Sequence, residues 1–336
     1  MTREPFQSRP PARRHEPLGL LLGTDDGLLQ VVPGAAPERG IDGPRIVSVD
    51  AREGLAAAAG PDGVWVHVAT AGGGRWRQVW QGDARLVQIE GDTIYLGTGD
   101  GRILLSEDEG FGWTPLYGTR ELFGHGWGGR DLSAGLHPAV TGVAEVRTAA
   151  RNGVPATGGI VVAFDGGGAW FTPNLGGSWL RRGEGLDGHI HRLYRHPDLP
   201  TRLYATTDTG LYRSTDEGHT WVQSLKDLDR SWGGSLAVLP GPTDTLVLSL
   251  ARGREGAGAL FRSVNAGLTW SRVLLGPAGR EADEWPAAPA VVCPREFEDV
   301  TFVAAGTSLY ASHDAGRSWT PLADALPLAH CLAASL

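Results

Sequence analysis

Short apolar runs, each closed by glycine, aspartate or proline, recur in pairs along the whole chain. The pairs are LGLLLGTDDGLLQVV at 18–32, LAAAAGPDGVWVHVA at 55–69, TIYLGTGDGRILLS at 93–106, IVVAFDGGGAWFT at 160–172, LYATTDTGLYRS at 203–214, TLVLSLARGREGAGALFRS at 245–263 and TFVAAGTSLYAS at 301–312. Each run is four to eight residues rich in β-branched, aromatic and aliphatic side chains between turn residues, which predicts a strand. The clearest full unit, 189–224, adds a run before the pair (HIHRLYRHP) and one after it (HTWVQS). The repeating unit is therefore four strands, A to D.

Seven such units in the repeat-bearing length come to about 46 residues each, the size of a four-stranded propeller blade. The pattern predicts an all-β chain: a single seven-bladed β-propeller of antiparallel blades over 17–336. The first unit begins at its B strand, while the chain finishes on LAHCLAASL at 328–336. Those nine residues are expected to be the missing A strand of blade 1, closing the ring and removing exposed sheet edges. A helical tail, favoured by the Ala and Leu content, is the competing reading. Residues 1–16 are polar, with Arg3, Arg9, Arg13 and Arg14, and are expected to be a disordered tail.

An octapeptide marks the turn between strands C and D: SEDEGFGW at 106–113, TPNLGGSW at 172–179, STDEGHTW at 214–221, SVNAGLTW at 263–270 and SHDAGRSW at 312–319, with a decayed copy, ATAGGGRW, at 69–76. Its Asp or Asn can accept backbone N–H groups across a tight turn. The hydroxyl ties in the incoming strand, the glycine supplies positive φ, and the Trp is expected to fold back as an apolar plug. The motif resembles the Asp-box, or bacterial neuraminidase repeat, of sialidases, sortilin-type receptors, xyloglucanases and photosystem II assembly factors. The resemblance implies structural roles for Asp108, Trp113, Asn174, Trp179, Asp216, Trp221, Asn265, Trp270, Asp314 and Trp319, at a rim away from any active site. A calcium loop is disfavoured, because each copy offers one or two carboxylates.

Composition supports strands and turns over helices. There are 50 glycines and 22 prolines, and an interior glycine costs about 1 kcal/mol of helix stability. The formal charge is −8, with Lys226 the single lysine, which excludes the basic face of a nucleic-acid binder. Cys293 and Cys331 are too few for a disulfide scaffold or a zinc site and are expected to be buried free thiols, about 15 Å apart at strand rise. The early apolar run Leu18–Leu22 is too short for a signal-peptide core or a membrane span. A monomer in the cytoplasm is the expectation.

Strand order puts the D–A and B–C connections on one face and the octapeptides on the other. Three D–A connections share a mixture of Trp, Arg and acid: Trp127, Arg130, His125, Asp131 and His137 in 118–139; Asp227, Asp229, Arg230 and Trp232 in 225–234; Arg280, Glu281, Asp283, Glu284 and Trp285 in 276–289. Aromatic and arginine anchors suit a binding surface, and the acids beside them suggest a positively charged ligand. His189 and His191 alternate on a strand, so both are expected on one face. A third ligand (His330, His125 or a carboxylate) would be needed for metal, so no metal and no cofactor is the expectation. The ladder Asp26-Gly27, Asp62-Gly63, Asp100-Gly101, Asp165-Gly166 and Asp208 before Gly210 could suggest glycosidase carboxylates. It fits the hairpin turn better, because both turn positions favour positive φ.

Of the families sharing the motif, sialidases use three arginines, a tyrosine nucleophile and an early FRIP or YRIP sequence. Neither sequence occurs here, and Arg85, Arg130, Arg192 and Arg230 near the central mouth match no triad. Xyloglucanases pair two propellers around a cleft, and one is present here. The photosystem II assembly factor type, one seven-bladed propeller with a peptide-binding role, is the better match. The expected function is a non-catalytic binding propeller for a protein or peptide, acting through Trp127, Arg130, His189, His191, Arg230, Trp232, Asp283, Glu284 and Trp285. A glycoside hydrolase using acids of the same face is the alternative.

Overall fold

A computed structural model describes residues 19–52, 54–69, 74–119, 121–123, 138–147, 158–225, 228–241, 244–275, 284–295 and 297–335. The expected tail, Trp127, Arg130 and Asp283 lie outside them. The described strands form seven four-stranded antiparallel sheets, each following the order A-B-C-D. Adjacent A strands touch one another all the way round, so the sheets form the predicted seven-bladed ring. The A strands are Cys331–Ser335, Ser48–Arg52, Ala84–Glu90, Val140–Arg147, Ile190–Arg195, Trp232–Val238 and Ala290–Val292 for blades 1 to 7.

Closure comes from the chain end. Cys331–Ser335 pairs antiparallel with Gly19–Thr24, from Gly23 opposite Cys331 to Gly19 opposite Ser335. The His330 N–H adds a 2.7 Å bond to the Gly23 carbonyl. Ala and Leu propensity for helix is overridden because Leu332 and Ala334 are needed in the core shared with blade 7, beside Leu20, Phe302 and Leu309. Each of the other large clusters likewise joins two neighbouring blades, as Leu86, Ile103, Val143 and Phe164 do for blades 3 and 4. The B strands are covered on both faces, so Leu246–Ala251 is buried at every position and reads as an unbroken apolar run.

The five intact octapeptides adopt one turn. The Ser or Thr hydroxyl accepts the glycine N–H at 2.7–2.9 Å and donates to the Asp or Asn Oδ1. That oxygen accepts the N–H of the residue before Trp at 2.8–2.9 Å. Glycine is not alone in the left-handed region: the residue before it joins it in every copy, namely Glu109, Leu175, Glu217, Ala266 and Ala315, with φ between 53° and 61°. Trp221 is the plug expected, 4% exposed, while Trp113, Trp179, Trp270 and Trp319 are only half-buried. Trp179 and Trp270 donate instead to carbonyls of the preceding blade, Tyr117 at 2.9 Å and Ser224 at 2.8 Å.

Two expectations need correction. In the B–C turns only the glycine is left-handed (φ 123° at Gly27, 147° at Gly63, 129° at Gly210), while no turn aspartate has positive φ. Asp100, Asp165 and Asp208 instead make side-chain contacts, to Arg102, His189 and His191. Cys293 is half-buried and donates to the Val238 carbonyl at 3.1 Å, because it lies beyond the last residue of its A strand. Cys331 is buried as expected, and burial pushes its thiol up to about 12. Among the described residues, no helix is long and apolar enough to cross a membrane.

Candidate functional site

The A strands line a central channel. Seen from the D–A face, its wall carries a half-buried Trp232 at the first position of the blade 6 A strand. The indole stacks on His191, ring centroids 4.2 Å apart and planes tilted by 36°. His191 has both nitrogens engaged: Nε2 with Asp208 Oδ1 and Nδ1 with the Gly233 carbonyl, each at 2.6 Å. Three blade elements thus hold one ring, and the ring holds Trp232 at the rim of a cavity of about 430 Å³.

His189 goes elsewhere. Its Nδ1 meets Asp165 Oδ1 of blade 4 at 3.2 Å, and its backbone bridges to the same residue. An irregularity between Ile190 and Arg192 breaks the alternation, so the two histidines meet different partners. His330 bonds Asp25 at 2.8 Å, in blade 1. Among the described residues, no group of three His, Cys, Asp or Glu side chains is arranged to hold a metal ion.

The blade 6 and 7 connections form an ion-pair web. The Arg230 side chain is fully buried and meets Asp229 at 2.9 Å and Glu284 at 2.8 Å. Arg252 spans the same two carboxylates at 3.0 Å, and Arg272 reaches Glu284 at 3.4 Å. Hydrogen bonding from Arg230 holds both carboxyls below their ordinary range. Trp285 is 7% exposed and packs with Leu260, Leu275 and Val303. Its backbone exchanges bonds of 2.8 and 3.0 Å with Gly258. Of the sequence-picked residues, Trp232 and His191 therefore come together at the mouth. The buried Arg230 is stapled to the exposed Glu284, and the Trp285 ring lies beneath the surface.

Deeper in the channel sits a set of charges of which the sequence reading had named only Arg192. Glu90, 2% exposed, closes the blade 3 A strand; Arg195 of blade 5 meets it at 2.9 Å and Arg295 of blade 7 at 3.3 Å. Burial opposes ionisation of Glu90, but Arg295 and Arg195 outweigh it and its carboxyl falls below the usual range. Asp50 accepts backbone N–H bonds from Ile89 at 2.7 Å and Ala51 at 2.9 Å. Burial nevertheless pushes its carboxyl up. Arg192 crosses from blade 5 to Ser48 Oγ at 3.2 Å and the Val47 carbonyl at 3.3 Å of blade 2. The readable signal was charge inside A strands, at Asp50, Glu90, Arg192 and Arg195; Arg295, beyond the end of its strand, carried none.

No protein-family model matches the chain. A xyloglucanase of Hypocrea jecorina is 30% identical over 118 residues, 35% of this chain and 14% of that protein. Among solved structures, the GH74 enzyme of Niastella koreensis superposes with a TM-score of 0.61 at 17% identity, covering 91% of this chain and 46% of that one. YCF48 bound to a D1 peptide gives 0.54 at 15% identity, covering 93% and 87%. At these identities the likeness is one of fold. The chain spans less than half the length of the GH74 enzymes it matches.

Proposed function

We propose that this chain is a non-catalytic propeller that captures a protein or peptide segment on its D–A face, with Trp232 as the central anchor. The observation that carries this reading is the Trp232–His191 stack at the cavity mouth. A large ring fixed before binding loses little entropy on complex formation, which is what makes aromatic anchors effective. Trp127, Arg130 and Asp283, placed by sequence in the neighbouring connections, would complete the surface. The single-propeller YCF48, whose structure contains a D1 peptide, supports the reading at the level of architecture.

Arg230, Glu284 and Trp285 act in this scheme as supports for the connection that presents Trp232. The positively charged ligand suggested by the acidic connections loses its main argument, because Asp229 and Glu284 are neutralised by Arg230 and Arg252. A partner captured by immobilised protein should be lost on Trp232→Ala while the thermal unfolding midpoint stays within about 2 °C, the scale of a surface substitution. Equal capture by both proteins would remove Trp232 from the interface.

The 118-residue match to a xyloglucanase favours a second reading, a glycoside hydrolase. That chemistry needs a carboxylic acid kept protonated near neutral pH. Asp50, which burial pushes up, is the candidate, whereas Glu284 is held low by Arg230. Release of reducing ends from xyloglucan, abolished by Asp50→Asn with folding intact, would replace the binding reading by this one.

A further inference from the structure

The channel holds more cationic hydrogen-bonding capacity than its own residues use. Arg192, Arg195 and Arg295 all line the 430 Å³ cavity, together with Asp50. Each guanidinium has five N–H donors. Among the described residues, the bonds present use two on Arg192, both to neutral oxygens, one on Arg195 and two on Arg295, and the buried Arg195 Nε has no hydrogen-bond partner. Glu90 is shared between two of the arginines, and Arg192 meets no carboxylate among the described residues. A buried charged donor left without a partner is costly, and the Arg195 Nε is such a donor, while the remaining guanidinium donors stay available to a molecule in the cavity. The chain as a whole carries −8, so a local cationic excess is not background charge.

The geometry points to this cavity as a binding site for a small organic anion, a carboxylate or phosphate head group on an apolar body, with Arg192 as its principal contact. The volume falls in the range of small-molecule pockets, about 300–1,000 Å³. The remaining walls supply the apolar part: Val49, Val87, Leu193, Val291 and Leu332 line the same space. Arginine suits such a head group because its fork matches carboxylate and phosphate oxygens in pairs. The site lies below the Trp232 rim and stands independently of whether a peptide docks there.

Calorimetric titration of the full chain with benzoate, phenyl phosphate and neutral benzyl alcohol tests it. At least one anion should bind more than tenfold tighter than the alcohol, and comparing the two anions separates carboxylate from phosphate selectivity. Arg192→Gln, which removes the charge and the guanidinium fork, should weaken the preferred anion by about tenfold or more, the loss of one charge-assisted contact. No anion preference in the unaltered protein overturns the proposal, as does undiminished binding by a folded Arg192→Gln chain. Should that variant not fold, soaking 4-bromobenzoate and 4-bromophenyl phosphate into crystals of the unaltered protein decides the matter. A bromine peak in the channel supports the site, and peaks only elsewhere, or none, overturn it.

Discussion

His196 ties blade 5 to blade 6 from a fully buried position. Its Nδ1 accepts the N–H groups of Asp198 at 3.1 Å and Leu199 at 3.2 Å. The Nε2 faces Asp244 Oδ1 at 3.3 Å, and Tyr204 donates to the other oxygen of that carboxylate at 2.7 Å. Burial lowers the His196 pKa below 6.5 despite the pull of Asp244. The unfolded chain therefore takes up a proton at a pH where the folded chain does not. The stability from the neutral ring is complete above pH 6.5 and drains as pH falls below it, by up to about 1.4 kcal/mol per pH unit. Urea midpoints measured between pH 7.5 and 5 should fall more steeply for the natural chain than for His196→Gln. The octapeptide residues make a second residue-scale prediction. Trp221→Ala should cost about 3–5 kcal/mol, as for other large-to-small core changes. Asp216→Ala should cost less, about 1–3 kcal/mol, through turn donors left unpaired. Equal losses in denaturant unfolding would contradict that ranking.

Between elements, the blades are spaced by small residues on the A and B strands. A Cβ on Gly142, in the blade 4 A strand, would lie 2.5 Å from Leu193 Cβ and 2.7 Å from its backbone nitrogen in blade 5. Neither atom is the end of a movable side chain. Gly142→Ala should therefore push two blades apart at a cost of about 1–3 kcal/mol. Gly158, in the B strand of the same blade, meets nothing within 4 Å, so Gly158→Ala should leave the unfolding midpoint nearly unchanged. The contrast separates packing from any general effect of removing glycine from a strand. D strands vary from five residues at Glu38–Asp42 and Arg77–Gln81 to two at Thr114–Pro115 and Val222–Gln223. They form the outer edge, where few partners reward further pairing.

At the scale of the molecule, stability depends on a ring closed by backbone bonds between residues more than 300 positions apart, such as Leu22 with Leu332. Removing 328–336 would expose the inner edge of Gly19–Thr24 and uncover Leu20, Phe302 and Leu309. Open apolar edges pair with other chains. The truncated protein should elute as aggregate in size-exclusion chromatography, and a soluble truncation with cooperative unfolding at the natural midpoint would contradict closure by this strand.

Strand number, blade count, turn positions and the closing strand were legible in the chain itself, because each depends on local patterning repeated seven times. The octapeptide turns were legible for the same reason, since Ser312, Asp314 and Gly316 satisfy one another within a few residues. The site was not. Trp285 and Trp232 look alike in sequence, yet one ring is buried against blade 7 and the other sits at the channel rim, a difference made by Gly258 pairing with Trp285. Asp50, Glu90, Arg192, Arg195 and Arg295 come from blades 2, 3, 5 and 7, and no spacing relates them. Only closure of the ring turned them toward a common channel, where Glu90 meets Arg195 and Arg295 while Arg192 meets neutral oxygens.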